Sequence, residues 1–323
     1  MNDRPLRLGV VGKSLTHKQW LAIRRKGIGG SDAAAVAGAS DWSSPMSVYL
    51  DKVGATPPIE ANEAMQWGLR LEAAVAAEFE RENAVRIVGR QFLYRSRRHP
   101  FMLATIDGRY HNGSGEWHLY EGKTTGGFNR EAWANEVPLS VYVQVQHNLA
   151  VTDYRSCGVA CLIGGQRYVS YNVRRDDGFI KKLIQREREF YEQHVVPMVP
   201  PPVDGSSASS DALSALYPVS NGEQIDPLPD EDEALDLIDT YLNWQGEVKR
   251  AETERDNAAN ALKLMLADSD SGTAGTYRVS WASRTRKSLD AKGIAAEYPT
   301  IASKYMKETQ YRVFSVKEMK DRD

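Results

Sequence analysis

Cysteine is scarce in this chain: 323 residues contain two, Cys157 and Cys161. That count excludes a four-cysteine iron-sulfur or zinc site. Both lie in the apolar run R-S-C-G-V-A-C-L-I, which predicts buried free thiols rather than a disulfide. Long apolar runs are missing too, so no segment can span a bilayer as a helix. The first residues, M-N-D-R-P-L-R, have no apolar leader stretch, and a cytoplasmic protein without a membrane partner is expected. Nor does charge of one sign dominate. The formal net charge is -2, so a site for nucleic acid has to be a local basic patch, such as Arg24-Arg25-Lys26 or the arginines at 86, 90, 95, 97 and 98. Two glycine-rich stretches fail as nucleotide motifs. Gly9-Val10-Val11-Gly12-Lys13-Ser14 has the wrong glycine spacing for a P-loop and no strand is read before it. The run from Gly27 to Ser31 follows a basic helix, whereas a dinucleotide fingerprint follows a strand.

With 41% hydrophobic residues the chain can bury one sizeable core and carry an appendage. Prolines and then serines at V-V-P-M-V-P-P-P-V-D-G-S-S-A-S-S mark a boundary. We therefore read a main domain over 1–205, a Pro/Ser-rich linker over 206–229 and an extension over 230–323. The extension is polarised: residues 226–270 carry net -9 and residues 271–323 net +5. It reads as a long acidic helix from Asp230 to about Ala267, polar on every face in its middle, then a basic strand-helix-strand tail built on T-Y-R-V-S-W, a helix after Asp290, and Q-Y-R-V-F-S-V.

In the main domain, Thr16 to Gln19 forms a capping-box pattern for a short helix stopping at Gly27, and Ser31 is placed to cap a second helix of small residues. The segment E-A-M-Q-W-G-L-R-L-E-A-A-V-A-A-E-F-E-R-E is helical. Strands are expected at 85–95, 101–107, 116–124 and 158–171, and a further helix at 177–195. The class is α/β with a central mixed β-sheet flanked by helices.

The chemistry concentrates at L-Y-E-G-K-T-T. In a strand, Glu121 and Lys123 share a face, and Asp107, at the end of F-M-L-A-T-I-D-G, can return beside them across a hairpin tipped by N-G-S-G. An Asp before Gly is ordinarily a turn former, and an isolated E-x-K pair ordinarily a surface ion pair. Together, two carboxylates and a lysine on neighbouring strands suit a hard cation and a water-activating group. Asp107, Glu121 and the carbonyl of Gly122 would hold Mg2+ or Mn2+. Lys123 would orient or deprotonate the attacking water. Glu72, on the helix that includes Trp67-Gly68, can join them.

The motifs G-I-G-G-S-D, W-G-L-R-L-E, T-I-D-G, E-G-K and Q-V-Q-H, in this order, resemble the phage-type recombination exonucleases of the YqaJ and lambda exonuclease group, within the PD-(D/E)xK nuclease superfamily. The resemblance runs from about residue 16 to about 200; Ile106 stands where that motif often has proline. It implies a PD-(D/E)xK restriction-endonuclease-like core in which Asp107, Glu121 and Glu72 serve two Mg2+ ions, and Lys123 and Gln146 serve the water. It further implies that Arg24 and Ser31 hold the 5'-phosphate of the DNA end; Arg25 could take the place of Arg24 if the helix is rotated, Gln144 is read as DNA-facing, and His147 as helix-packing or DNA-facing rather than a metal ligand. The valine alternation at 141, 143 and 145 would by itself argue strand, but the resemblance puts a helix there. The function so implied is a Mg2+-dependent 5'-to-3' exonuclease that digests one strand of linear double-stranded DNA and leaves 3' overhangs for a single-strand annealing protein, with a ring of three subunits around the DNA. An endonuclease or single-strand nuclease on the same site, or a non-catalytic DNA-end binding module, are the alternatives.

Overall fold

The computed structural model describes residues 4–55, 62–113 and 115–318. The chain forms two compact units, Met1–Tyr217 and Pro218–Asp323. The first contains β1 (Leu6–Val10), α1 (His17–Arg24), α2 (Gly30–Val36), α3 (Pro45–Val53), α4 (Glu63–Asn83), β2 (Ile87–Val88), β3 (Phe92–Arg95), β4 (Leu103–Ile106), β5 (Gly108–His111), β6 (Trp117–Thr125), α5 (Leu139–Thr152), β7 (Ser156–Ile163), β8 (Arg167–Arg174), α6 (Asp177–Phe190) and α7 (Ser207–Leu216). No helix among the described residues is long and apolar enough to cross a membrane.

The main sheet runs β2-β5-β6-β7-β8, antiparallel except for the parallel pair β6-β7, and a smaller antiparallel sheet runs β1-β3-β4. This is the expected mixed α/β architecture. Its two faces are covered by different helices because side chains alternate along β6. Tyr120 faces α4, where Val75, Ala76 and Phe79 pack on Tyr110 and Ala160. Leu119 faces α5, where Val141, Val145 and Leu149 pack on Val159 and Cys161. Both cysteines are free and buried. Glu121 and Lys123, in phase with Leu119, therefore look toward α5.

The valine-rich segment is helical because it is buried on more than one side. Val143 packs away from the sheet against Ala33 and Ala34 of α2 and Leu183 of α6, so apolar residues occupy both stripes and mimic a strand's alternation. The strand expected over 158–171 is instead the hairpin β7-β8, turned by Gly164 and Gly165 at φ 60° and 74°, the left-handed pair a tight hairpin requires. That expected over 85–95 is broken into β2 and β3 by positive φ at Gly89 and Gln91. A strand, β1, does precede the Gly9–Ser14 stretch, but the turn is filled by its own side chains: the Val10 amide donates to Ser14 Oγ and Leu15 lies against Gly9. In the predicted hairpin tip, Ser114 lies outside the described residues.

The first unit runs on past the expected boundary at 205. Part of the stretch read as linker is α7, whose Ala212 is buried in the cluster of Ile28, Met46, Val48 and Leu50. Of the serines that suggested a linker, Ser206 caps this helix, its Oγ accepting the Ser209 amide, and Ser209 is buried in it.

In the second unit, α8 (Glu231–Leu266) is one continuous helix of 36 residues whose only buried position is Leu266. A hairpin follows, β9 (Ser271–Ala274) with β10 (Tyr277–Ser280), then α9 (Ala291–Glu297), capped by Asp290 as expected, and α10 (Pro299–Tyr305). The last expected strand, Q-Y-R-V-F-S-V, is not one. It has no partner strand among the described residues, and Phe314 instead meets Tyr241 of α8 edge to face.

Candidate active site

Asp107 sits in the single-residue step between β4 and β5, and its carboxylate closes the end of the β5-β6 ladder by accepting the Gly122 amide at 2.9 Å. In an extended strand the N–H and C=O of one residue point to the same edge, so the Gly122 carbonyl also faces the side of Asp107. Glu121 is 4% exposed. Its Oε1 accepts from Lys123 Nζ at 2.8 Å and from Gln144 Nε2 at 2.6 Å, while Gln144 Oε1 accepts a second bond from Lys123 Nζ at 2.8 Å. Glu, Lys and Gln thus form a closed triangle between β6 and α5. Glu72, on α4, has its Oε1 3.4 Å from Gln91 Nε2 and adds weakly to the negative charge felt by Asp107.

Burial and the neighbouring Glu121 carboxylate push the Asp107 pKa up to about 8, against a partial offset from Lys123. Burial opposes the Lys123 ammonium, but Glu121 and Asp107 outweigh it and hold its pKa above the usual lysine value. In this arrangement Lys123 is a hydrogen-bond donor placed to orient a water or a phosphate. The residues fit a hard cation. Burial, with the neighbouring Glu121 carboxylate, keeps Asp107 protonated near neutrality, and a divalent ion beside the Gly122 carbonyl would relieve that cost. Among the described residues no three His, Cys, Asp or Glu side chains converge as a metal cage. Such an incomplete protein shell is what Mg2+, which keeps several waters and binds substrate phosphate, ordinarily uses.

Beside the carboxylates lies a cavity of about 170 Å³ whose lining includes Asp107 and Gln144 at one part and Arg24, Gly29, Gly30 and Ser31 at another. Arg24 Nη2 donates to Ser31 Oγ at 3.0 Å and to Asp32 Oδ1 at 2.9 Å. Its guanidinium also lies 5.2 Å from the Trp20 ring, and Trp20 Nε1 donates to Thr105 Oγ1 at 3.0 Å. Ser31 is not the cap of α2. Gly29 is, with Asp32 returning a carboxylate to its amide at 2.9 Å, so the serine hydroxyl is left for Arg24. Gly30 packs closely on α5: a Cβ there would fall 2.5 Å from Asn148 Oδ1, and that side chain would have to move. That contact brings the glycine turn up against the helix that carries Gln144.

Three expected site residues are elsewhere. Gln146 is fully buried and points away from the carboxylates, donating to the Arg174 carbonyl and accepting the Asp176 amide. Two residues along a helix is about half a turn, so only one glutamine of Q-V-Q can face Glu121, and it is Gln144. His147 is fully buried and faces no solvent; Nδ1 is 2.8 Å from Glu187 Oε1 and Nε2 donates to the Leu103 carbonyl at 2.8 Å, tying α5 to α6 and β4. Arg25 turns toward α3, with Nε 3.7 Å from Asp51 Oδ1. Sequence reading missed Trp20, Thr105, Asn148, Asp32 and Lys52. The aspartate of G-G-S-D was a visible signal at helix position N3, whereas Lys52 had none.

This sheet end thus presents two carboxylates and a lysine, with the Arg24-Ser31 turn across the same cavity. Residues 19–155 match the YqaJ-like viral recombinase domain. The chain is 33% identical over 310 residues to the protein YqaJ of Bacillus subtilis (strain 168), spanning 94% of this chain and 95% of that one. It belongs to the YqaJ family, and the likeness extends through the second unit. Among solved structures it is similar to the alkaline exonuclease LHK-Exo of Laribacter hongkongensis, with 20% identity and a TM-score of 0.47 over 56% of this chain and 94% of that one. It is also similar to a phage-related exonuclease of Haemophilus somnus 129PT, with 12% identity and a TM-score of 0.41 over 53% of this chain and 96% of that one.

Proposed function

We propose that this protein is a Mg2+-dependent (or Mn2+-dependent) 5'-to-3' exonuclease that digests one strand of linear duplex DNA and leaves 3' overhangs for an annealing protein. The observation that supports this most is the shared cavity: the Arg24-Ser31 turn and Asp107 line one space. A 5'-phosphate bound by the Arg24 guanidinium and the Ser31 hydroxyl would set the next linkage against the carboxylates. Divalent cations held by Asp107, Glu121 and the Gly122 carbonyl, with Glu72 adding weakly to the negative charge, would supply charge stabilisation to the pentavalent transition state. Lys123 donates hydrogen bonds to the nucleophile or to a nonbridging oxygen. Gln144 holds Glu121 and Lys123 at fixed separation, so both meet the phosphate without rearrangement.

The test is polarity. Linear duplexes with 5'-phosphate ends should be digested faster than the same duplexes with 5'-hydroxyl ends, by about one to two orders of magnitude for a charge-assisted contact. The advantage should shrink in Arg24→Ala. Covalently closed circles should survive, and EDTA should stop digestion. Equal rates on both ends, or cutting of circles, would refute this reading in favour of an endonuclease.

A further inference from the structure

Three residues of Gly29-Gly30-Ser31-Asp32 line the cavity, and the fourth turns into the protein. Asp32 is 7% exposed and its carboxylate has three partners. Oδ1 accepts from Arg24 Nη2 at 2.9 Å, and Oδ2 accepts from the Gly29 amide at 2.9 Å and from Lys52 Nζ at 2.5 Å. Lys52 comes from α3, has a fully buried side chain, and also donates to the Arg24 carbonyl at 3.2 Å. One buried carboxylate therefore joins the last residue of α1, the cap of α2 and the interior of α3.

The charge balance of this cluster matters for an anion site. Asp32 with Arg24 alone would be a neutral pair, and the guanidinium would be committed to its own carboxylate. Lys52 offsets Asp32, which returns the cluster to a single positive charge. Asp51 lies 3.6 Å from Lys52 and is matched by Arg25 at 3.7 Å, and the buried Glu187, which also feels Asp32, is paired with His147 at 2.8 Å, so neither carboxylate cancels the excess. Of the three cations, only Arg24 lines the cavity, and the unbalanced charge is expressed there. Burying a lysine is costly unless it is paired, and an ion pair that served stability alone could be replaced by apolar side chains. Its placement under the phosphate turn gives it a second consequence.

We propose that Lys52 acts through Asp32 as a positioning residue for DNA-end recognition: it neutralises Asp32 so that the Arg24 guanidinium, fixed in place by that same carboxylate, keeps its charge for a terminal phosphate monoester. The inference rests on the exonuclease reading above. In the full chain, the ratio of kcat/KM for 5'-phosphate ends to that for 5'-hydroxyl ends is the measurement, because a general loss of fold or turnover leaves this ratio near its wild-type value. Lys52→Met should lower it about fivefold or more, by raising KM for phosphorylated ends, since Arg24 is then neutralised by Asp32. Adding Asp32→Asn to Lys52→Met should recover the ratio to within about twofold of wild type, because the single positive charge is restored. An undiminished ratio in Lys52→Met, or a double variant as impaired as the single one, overturns the inference while leaving the exonuclease reading intact. No end preference in the wild-type protein overturns both. Should Lys52→Met fail to fold, the double variant, which buries no unpaired charge, carries the test: a retained preference supports the proposal and a ratio near unity overturns it.

Discussion

Cation binding should expel a proton, and the structure indicates from where. Asp107, buried beside Glu121, titrates near 8 instead of at 3.8. At pH 7 most molecules therefore hold it protonated, so a divalent cation that requires both carboxylates must displace a proton in those. The cost at pH 7 is about 1.4 kcal/mol, which predicts roughly tenfold weaker apparent Mg2+ affinity at pH 7 than at pH 9. Calorimetric titration of the full chain with MgCl2, in two buffers of different ionisation enthalpy, counts the protons directly. Close to one should leave per bound ion at pH 7 and far fewer at pH 9, and Asp107→Asn should abolish the release. The sign for stability follows from the same shift. A raised folded-state pKa means the native state binds the proton more tightly than the unfolded chain, so the contribution is full below about 3.8 and is lost as pH climbs toward 8. The cation-free protein should therefore lose stability across that window, and Mg2+ should restore it. Affinity that is flat from pH 7 to 9 with no proton release would refute the assignment of Asp107 as a buried ligand coupled to Glu121.

Asp107→Ala and Glu121→Ala should fold and lose nearly all DNA cleavage, as circular dichroism and digestion of a linear duplex would show together. Lys123→Ala should lose turnover while its affinity for DNA in a gel-shift assay persists. Gln144→Ala should lower kcat with little change in melting temperature, whereas Gln146→Ala, which orphans the Arg174 carbonyl and the Asp176 amide, should cost about 1–3 kcal/mol of stability in denaturant unfolding. A chain ending at Tyr217 should keep the active site assembled, while one ending at Gly205, which lacks α7 and uncovers the Ala212 cluster, should melt at lower temperature.

The elements whose periodicity had a local cause were legible in the sequence. The capping box at Thr16, the helix over 63–83 and the strand carrying Glu121 and Lys123 lie within a residue or two of where local chemistry puts their starts. What failed were boundaries set by left-handed turns. Gly164-Gly165 split one expected strand into a hairpin, and Gly89 with Gln91 split another, because a positive φ at the right place outranks a run of β-branched residues. Serines misled in the opposite direction: they signal both flexible linkers and helix caps, and only the buried face of α7, with Ala212, separates the two.

In the site, the legible part was the part that lies on one strand. Glu121 and Lys123 share a face by the period of two, and Asp107 follows from hairpin return. The helix contribution came from the resemblance, which put Gln146 at the water, and helix geometry places Gln144 there instead. In Q-V-Q-H, a shift of two positions rotates a side chain by about half a turn, so Gln144 meets Glu121 while Gln146 and His147 serve the packing of α5 against α6 and its neighbours. Lys52 shows what spacing cannot reach. It stands 20 positions from Asp32, on a helix whose sequence looks amphipathic and ordinary, and its role exists only because α3 packs its stem into the core beneath the glycine turn. A buried cation that sets the charge of a surface guanidinium is a property of three helices at once, and it becomes visible only when their side chains are placed together.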